Sequence, residues 1–129
     1  MRSTVFVIDT NVILRYLLAD HPEQFEKVRV FMEEVKTGTR RVLIPESVLA
    51  ECVYVLLKVY EVSREEIAEK LIGILRYRGV VNSDREVLIQ ALTLFGSKSV
   101  DIVDAIVSAI GSGERLQVFS FDRDLEKLR

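Results

Sequence analysis

The sequence predicts an α/β fold in which a parallel sheet is covered by helices on both faces. Short runs of β-branched and aromatic residues, such as residues 5–8 and 42–44, alternate with longer stretches whose apolar positions recur at helical spacing. Parallel strands need crossover connections, and these are usually helical. The chain has 129 residues, of which 49% are hydrophobic, so we expect a single domain over residues 1–129.

The first polar cluster of the chain directly follows its first apolar run. Residues 5–8 are typical of a buried parallel strand, and Asp9-Thr10-Asn11 come next. Residues 12–18 have the spacing of a short helix, and Pro22 opens another helix that we expect to run to about Lys36. The polar cluster is therefore predicted at the carboxyl end of a strand.

A second strand is predicted over residues 42–44, and a helix that carries Glu51 begins at residues 45–47. The apolar positions of this helix include Val48, Leu49, Val53, Leu56 and Leu57. The direct neighbours of Glu51 are also apolar, so we expect it in a largely buried setting. An unpaired carboxylate is costly there, and Glu51 should have a partner.

Two capping boxes announce further helices, one formed by Ser63 and Glu66 and the other by Ser83 and Glu86. Between them, residues 80–81 make a weak third strand.

The C-terminal third continues the alternation. Residues 100–110 have helical spacing, and Gly111 and Gly113 close that helix. Residues 118–120 are predicted as the final strand, and residues 122–128 as a last turn of helix.

Four acids stand out by their position. Asp9 and Asp122 directly follow the first and the last predicted strand, where ligands collect in open α/β sheets. Glu51 and Asp104 lie within largely apolar helices, and Asp101 shares a helix face with Asp104. Like charges so placed repel each other unless a positive charge separates them.

A divalent cation would supply that positive charge. The chain has no Lys or Arg between Arg41 and Lys58 or between Lys98 and Arg115, although bases distant in sequence remain available. Oxygen ligands suit Mg²⁺ or Mn²⁺ rather than Zn²⁺. Such ions support phosphodiester hydrolysis, in which they activate a water and stabilise the attacking and leaving oxygens.

Three of these acids also have a purely structural interpretation, which fits Asp104 and Glu51 least well. Asp9 and Asp122 are placed to cap helices, and Asp101 would favour a helix dipole from the first turn. Cys52, the only cysteine, lies in an apolar stretch that favours a core position over a nucleophile. His21 precedes a proline at a predicted turn, which favours a loop role over catalysis.

The charge balance excludes recognition of nucleic acid through a large basic surface. Eighteen Lys and Arg face twenty Asp and Glu, for a formal charge of −2. Any affinity for RNA must be local or metal-assisted. The apolar run at residues 5–8 is far too short for a signal peptide or a membrane span, so we expect a cytoplasmic protein without a membrane partner.

Four acidic blocks together resemble the PIN-domain family, and within it the VapC-like toxin ribonucleases of bacteria and archaea. The resemblance runs over residues 5–125, and its blocks, in order, are Asp9-Thr10-Asn11-Val12, Ile44-Pro45 through Leu49-Ala50-Glu51, Val103-Asp104-Ala105-Ile106-Val107-Ser108-Ala109, and Phe119-Ser120-Phe121-Asp122-Arg123-Asp124-Leu125. A single acidic block is weak evidence, whereas four in the order of the family are specific.

The resemblance implies a PIN-like three-layer α/β/α fold with a central, mainly parallel sheet of four or five strands. It implies that Asp9, Glu51, Asp104 and Asp122 form the catalytic cluster, in which Asp9 and Asp104 bind Mg²⁺ or Mn²⁺ directly. Glu51 and Asp122 would bind the metal directly or through water.

The resemblance also implies that Asn11 and Ser120 orient ligands or substrate. It further implies an RNA substrate, a homodimer and a cognate antitoxin protein.

Two other functions stay open at this point. A PIN fold without catalytic activity would serve as an RNA- or protein-binding scaffold, since a fold does not determine a function. A receiver-like signalling domain is also doubly wound and binds Mg²⁺. Residues 82–84 match its phosphoacceptor position poorly, and no lysine follows residues 118–119.

Overall fold

The computed structural model describes residues 4–121 and confirms an α/β protein in which helices predominate. The elements of this range are two strands and six helices: β1 (Val5–Val7), α1 (Thr10–Leu18), α2 (Pro22–Thr37), β2 (Arg41–Leu43), α3 (Glu46–Lys58), α4 (Arg64–Leu75), α5 (Arg85–Ser97) and α6 (Ile102–Gly113).

The sheet within residues 4–121 has two parallel strands and one additional bridge. Strands β1 and β2 pair with Phe6 opposite Val42. The predicted third strand is reduced to a parallel bridge between Val42 and Val80. In this bridge the Val42 amide donates to the Gly79 carbonyl (2.8 Å) and the Val81 amide donates to the Val42 carbonyl (2.9 Å). A sheet of four or five strands stays a prediction.

A side-chain amide continues the third strand beyond its bridge. Asn82 Oδ1 accepts a hydrogen bond from the Ile44 amide (2.9 Å), and Asn82 Nδ2 donates to the Ile44 carbonyl (2.7 Å). The side chain thus satisfies both backbone groups of Ile44 as a neighbouring strand would. Ile44 leads into α3, so Asn82 holds the segment from which that helix departs.

The predicted final strand over residues 118–120 is wrong, because residues 116–120 have no regular structure. The Leu116 amide donates instead to the Gly111 carbonyl (2.7 Å), so the chain folds back over the end of α6. Val118 then packs so close to Gly111 that a Cβ on this glycine would lie 2.5 Å from a Val118 methyl carbon. The predicted helical turn over residues 122–128 lies outside the described residues.

One of the two predicted capping boxes is confirmed at its serine. Ser63 caps α4 by accepting a hydrogen bond from the Glu66 amide (3.2 Å). The predicted cap at Ser83 is wrong, because the residue before α5 is Asp84 and its side chain does not cap the helix. The Asp84 carboxylate instead accepts a hydrogen bond from Asn82 Nδ2 (3.0 Å).

The helices pack around one hydrophobic core. Helix α1 contacts α2 and α3, helix α3 contacts α4 and α6, and helix α5 packs extensively against both α4 and α6. The largest fully buried side chains include Phe95, Ile13, Met32 and Ile44, so the core reaches both the sheet and the C-terminal helices. Of the helices in residues 4–121, none combines the length and apolar character needed to cross a bilayer.

Candidate active site

Asp9 lies just beyond the carboxyl end of β1 and caps the helix that follows. Its Oδ1 accepts a hydrogen bond from the Val12 amide (3.1 Å), as the capping interpretation of this residue predicts. Within residues 4–121, its Oδ2 accepts no hydrogen bond, and the side chain is exposed. The cap therefore orients the carboxylate and leaves one oxygen available to a ligand.

Thr10 joins this carboxylate to a second one. Its hydroxyl donates a hydrogen bond to Glu51 Oε1, which links the first residue of α1 to α3 across 41 positions of the chain. Glu51 therefore lies beside the residue that directly follows Asp9. Thr10 had no predicted role, although its position between Asp9 and Asn11 was the available signal.

Glu51 is exposed, which contradicts the expectation of a buried setting. Helix α3 buries the face that carries Leu49, Cys52 and Val53, and Glu51 lies on the opposite side of the helix. Its apolar sequence neighbours face the core while its own carboxylate faces solvent. The partner that burial was expected to require is supplied in part by the Thr10 hydroxyl.

The charges of both acids affect the pKa of the Cys52 thiol. Burial raises the pKa of this thiol to about 12, and the negative charges of Glu51 and then Asp9 add to the shift. Its Sγ lies 3.9 Å from the Thr10 carbonyl oxygen. Cys52 is fully buried in the hydrophobic core, which confirms the predicted core position.

The acidic pair has no cationic partner in the described part of the chain. The ion pairs among residues 4–121 involve other acids, namely Asp20, Glu26 and Glu34. Neither the Asp9 nor the Glu51 carboxylate forms an ion pair within residues 4–121, so no direct contact with a Lys or Arg of this range compensates their negative charge at the end of β1.

Asp104 lies in the first turn of α6 and is half-buried. Helix α6 packs against α3, the helix that carries Glu51. Asp101 is exposed at the N-cap of α6, where its side chain makes no capping hydrogen bond. Asp122 lies outside the described residues. Between residues 4 and 121, no three Asp, Glu, His or Cys side chains are grouped closely enough to hold one metal ion.

The two residues predicted to orient ligands occupy different settings. Asn11 is exposed on the first turn of α1, next to the acidic pair in sequence. Ser120 is half-buried in the irregular segment after α6. Its neighbours Phe119 and Phe121 are largely exposed and stack edge to face on each other, with 5.5 Å between ring centroids.

A pocket of about 340 Å³ opens beside Asp9. Its lining is apolar apart from Asp9 and Lys27, and Phe6 and Phe31 form part of it. The two rings meet edge to face at 5.5 Å, and the Arg40 guanidinium lies over both. Asp9 therefore borders a surface that carries aromatic rings and local positive charge.

Asp9 follows the parallel strand β1, and Glu51 lies on α3, the helix that follows β2. This arrangement is typical of α/β proteins that carry a carboxylate site at the end of the sheet. Comparison with known families makes this assignment specific. The PIN domain model matches residues 6–129, and the chain belongs to the PIN domain family.

A curated relative matches this chain over most of the length of both proteins. The sequence is 28% identical over 123 residues to the VapC ribonuclease of Aquifex aeolicus (strain VF5). The match covers 95% of this chain and 90% of that protein. No solved structure matches the chain.

Proposed function

We propose that this protein is a Mg²⁺- or Mn²⁺-dependent endoribonuclease that hydrolyses RNA phosphodiester bonds as the toxin of a toxin-antitoxin pair. The observation that carries the proposal is the pair of Asp9 and Glu51 carboxylates, joined through Thr10 and without a cationic partner in residues 4–121. The PIN domain match and the VapC ribonuclease relative support it.

The donor atoms of the pair fit a hard divalent cation. Both residues offer carboxylate oxygens, and these are the ligands that Mg²⁺ and Mn²⁺ prefer. We propose that Asp9 and Asp104 bind the metal directly and that Glu51 and Asp122 bind it directly or through water. Such an ion would stabilise the charge that develops on the phosphodiester during hydrolysis.

The residues around the acids have distinct proposed roles. The Val12 amide holds Asp9 in one orientation, and the Thr10 hydroxyl does the same for Glu51. Asn11 and Ser120 would orient the substrate or the ligands. Lys27, in the pocket beside Asp9, supplies local positive charge for an RNA backbone that a chain of net charge −2 does not attract as a whole.

The proposed partners are a second copy of this chain and a cognate antitoxin protein. Large apolar side chains are exposed on α3 and α6, which pack against each other: Tyr54 is 57% exposed, Val103 55% and Val107 36%. Burial of such residues is the usual source of affinity in a homodimer. Sedimentation of the purified protein, compared with a Val103→Asp variant, tests the dimer. A monomeric wild type would refute it.

A scaffold without catalytic activity is the second candidate. The PIN domain match fits this candidate as well, because a fold does not determine a function. The two candidates differ in whether RNA is cut or only bound.

Cleavage of an end-labelled RNA panel separates them. The wild type, Asp9→Asn and Asp104→Asn are each assayed with Mg²⁺, with Mn²⁺ and with EDTA. Glu65→Gln is the control, because Glu65 is an exposed acid in the first turn of α4. We expect cleavage by the wild type and the control only, and none with EDTA. Folded wild-type protein that cuts no RNA under any condition would favour the scaffold.

A further inference from the structure

Arg64 holds the turn between α5 and α6 from another helix. Its Nη1 donates to the carbonyl oxygens of Phe95 (3.2 Å), Lys98 (3.2 Å) and Val100 (2.7 Å). The guanidinium also lies over the Phe95 ring, 4.4 Å from its centroid. One side chain therefore contacts the end of α5 and the connecting turn at the same time.

The position of Arg64 within its own helix is unfavourable. It is the first residue of α4, where the positive end of the helix dipole repels a cation. At the C-terminal end of α5 the same charge is favourable, because the last carbonyls of a helix have no intrahelical partner and carry partial negative charge. The tertiary contact with α5 thus accounts for a basic residue at this position.

The charge of Arg64 is directed to backbone carbonyls. Among residues 4–121 it forms no ion pair. Its side chain is half-buried and lines a cavity of about 210 Å³ together with Phe95, Asp101 and Ile102. A planar guanidinium that stacks on a ring and donates to several carbonyls cannot be replaced by a lysine without loss of contacts.

The turn held by Arg64 leads directly into the first turn of α6. Val100 is buried and its amide donates to the Lys98 carbonyl (2.9 Å), while the Ala105 amide donates to the Asp101 carbonyl (2.9 Å). Asp104 lies between these bonds in sequence. Helix ends fray unless they are fixed, so the definition of this first turn depends on the turn before it.

We propose that Arg64 is a positioning residue for Asp104: it locks the α5–α6 turn and thereby fixes the carboxylate in the first turn of α6. The inference rests on the proposed function, in which Asp104 is a metal ligand. Arg64 itself contacts neither metal nor substrate in this scheme.

The test compares Arg64→Ala and Arg64→Lys with the wild type and with Arg76→Ala. Arg76 is exposed at the opposite end of α4, so it controls for loss of an arginine from the same helix. Binding of Mn²⁺ is measured by electron paramagnetic resonance, and hydrogen exchange is measured at the Val100 and Ala105 amides. The Leu49 amide, bonded to the Pro45 carbonyl in α3, is the internal reference.

We expect Arg64→Ala to raise the dissociation constant for Mn²⁺ severalfold, which is less than the roughly 10-fold or more typical of a direct partner of a metal ligand, because Arg64 acts on Asp104 through the turn. Exchange should accelerate at Val100 and Ala105 but not at Leu49. The Mn²⁺ affinity and the exchange rates of Arg64→Lys should fall between those of the wild type and Arg64→Ala. Lysine keeps the positive charge but loses the planar guanidinium and its stacking on the Phe95 ring. Arg76→Ala should match the wild type.

The inference would be overturned if Arg64→Ala had the same Mn²⁺ affinity and the same amide exchange rates as Arg76→Ala. That outcome would leave the proposed function intact. If Arg64→Ala does not fold, the same comparison is made with Arg64→Lys. A folded wild type that neither binds Mn²⁺ nor cuts RNA would overturn the proposed function and the positioning role together. Unchanged exchange with weaker Mn²⁺ binding would refute the mechanism through the turn.

Discussion

Replacement of Thr10 by valine removes the hydroxyl that donates to the Glu51 carboxylate and keeps the shape of the side chain. A hydrogen bond to a charged group contributes roughly 1.5–3 kcal/mol when it is protected from solvent. Glu51 is exposed, so water replaces most of this interaction and the free energy of unfolding should fall by less than about 1 kcal/mol. Within the proposed function Glu51 is a metal ligand, and loss of its orientation should weaken Mn²⁺ binding by about 10-fold, or about 1.4 kcal/mol.

The assay is a Mn²⁺ titration of the wild type, Thr10→Val and Thr10→Ser, with thermal unfolding measured on the same samples. Thr10→Ser keeps the hydroxyl and should bind Mn²⁺ nearly as the wild type does. The reasoning would be refuted if Glu51→Gln weakened Mn²⁺ binding while Thr10→Val bound Mn²⁺ within twofold of the wild type. Glu51 would then need no orientation by Thr10.

Three further predictions follow from described contacts. Asn82→Asp should destabilise the protein by roughly 1–3 kcal/mol at pH 7, because a carboxylate cannot donate to the Ile44 carbonyl. This loss of stability should shrink at low pH, where the carboxylate regains a proton. Equal denaturant midpoints for the variant and the wild type at pH 7 would contradict this. Burial raises the pKa of the Cys52 thiol from 9.0 to about 12. The thiol should therefore react with iodoacetamide at pH 9 far more slowly in native protein than in urea. Equal rates would contradict its burial. Gly79→Ala should destabilise by roughly 3 kcal/mol or more, because its Cβ would overlap the Arg40 carbonyl oxygen, and an unchanged melting temperature would refute the close approach.

Features that depend on local sequence could be predicted. The strand that became β1, the helix opened by Pro22 and the cap at Ser63 each follow from residues within a few positions of one another. The polar cluster after β1 was predicted because parallel strands end at the same edge of a sheet. The third strand was correctly predicted as weak, and it is a single bridge at Val80.

Features that depend on distant contacts could not be predicted. The cap expected at Ser83 does not form, and Asp84 before α5 is engaged by the Asn82 amide, which itself binds Ile44. The exposure of Glu51 depends on which face of α3 meets the core, and residues on both sides of it are apolar. The bond from Thr10 to Glu51 spans 41 positions, and no pattern within one segment announces it.

That long span also bears on the order in which parts of the protein fold. Helices α4, α5 and α6 are consecutive and pack mainly against each other, so their contacts close short loops. The acidic pair requires closure of a loop of about 40 residues, which is entropically more demanding and typically slower. A partly folded chain would therefore show most of its helical circular dichroism before the two carboxylates meet. Within the proposed function, such a chain would be harmless to RNA until the whole domain has closed.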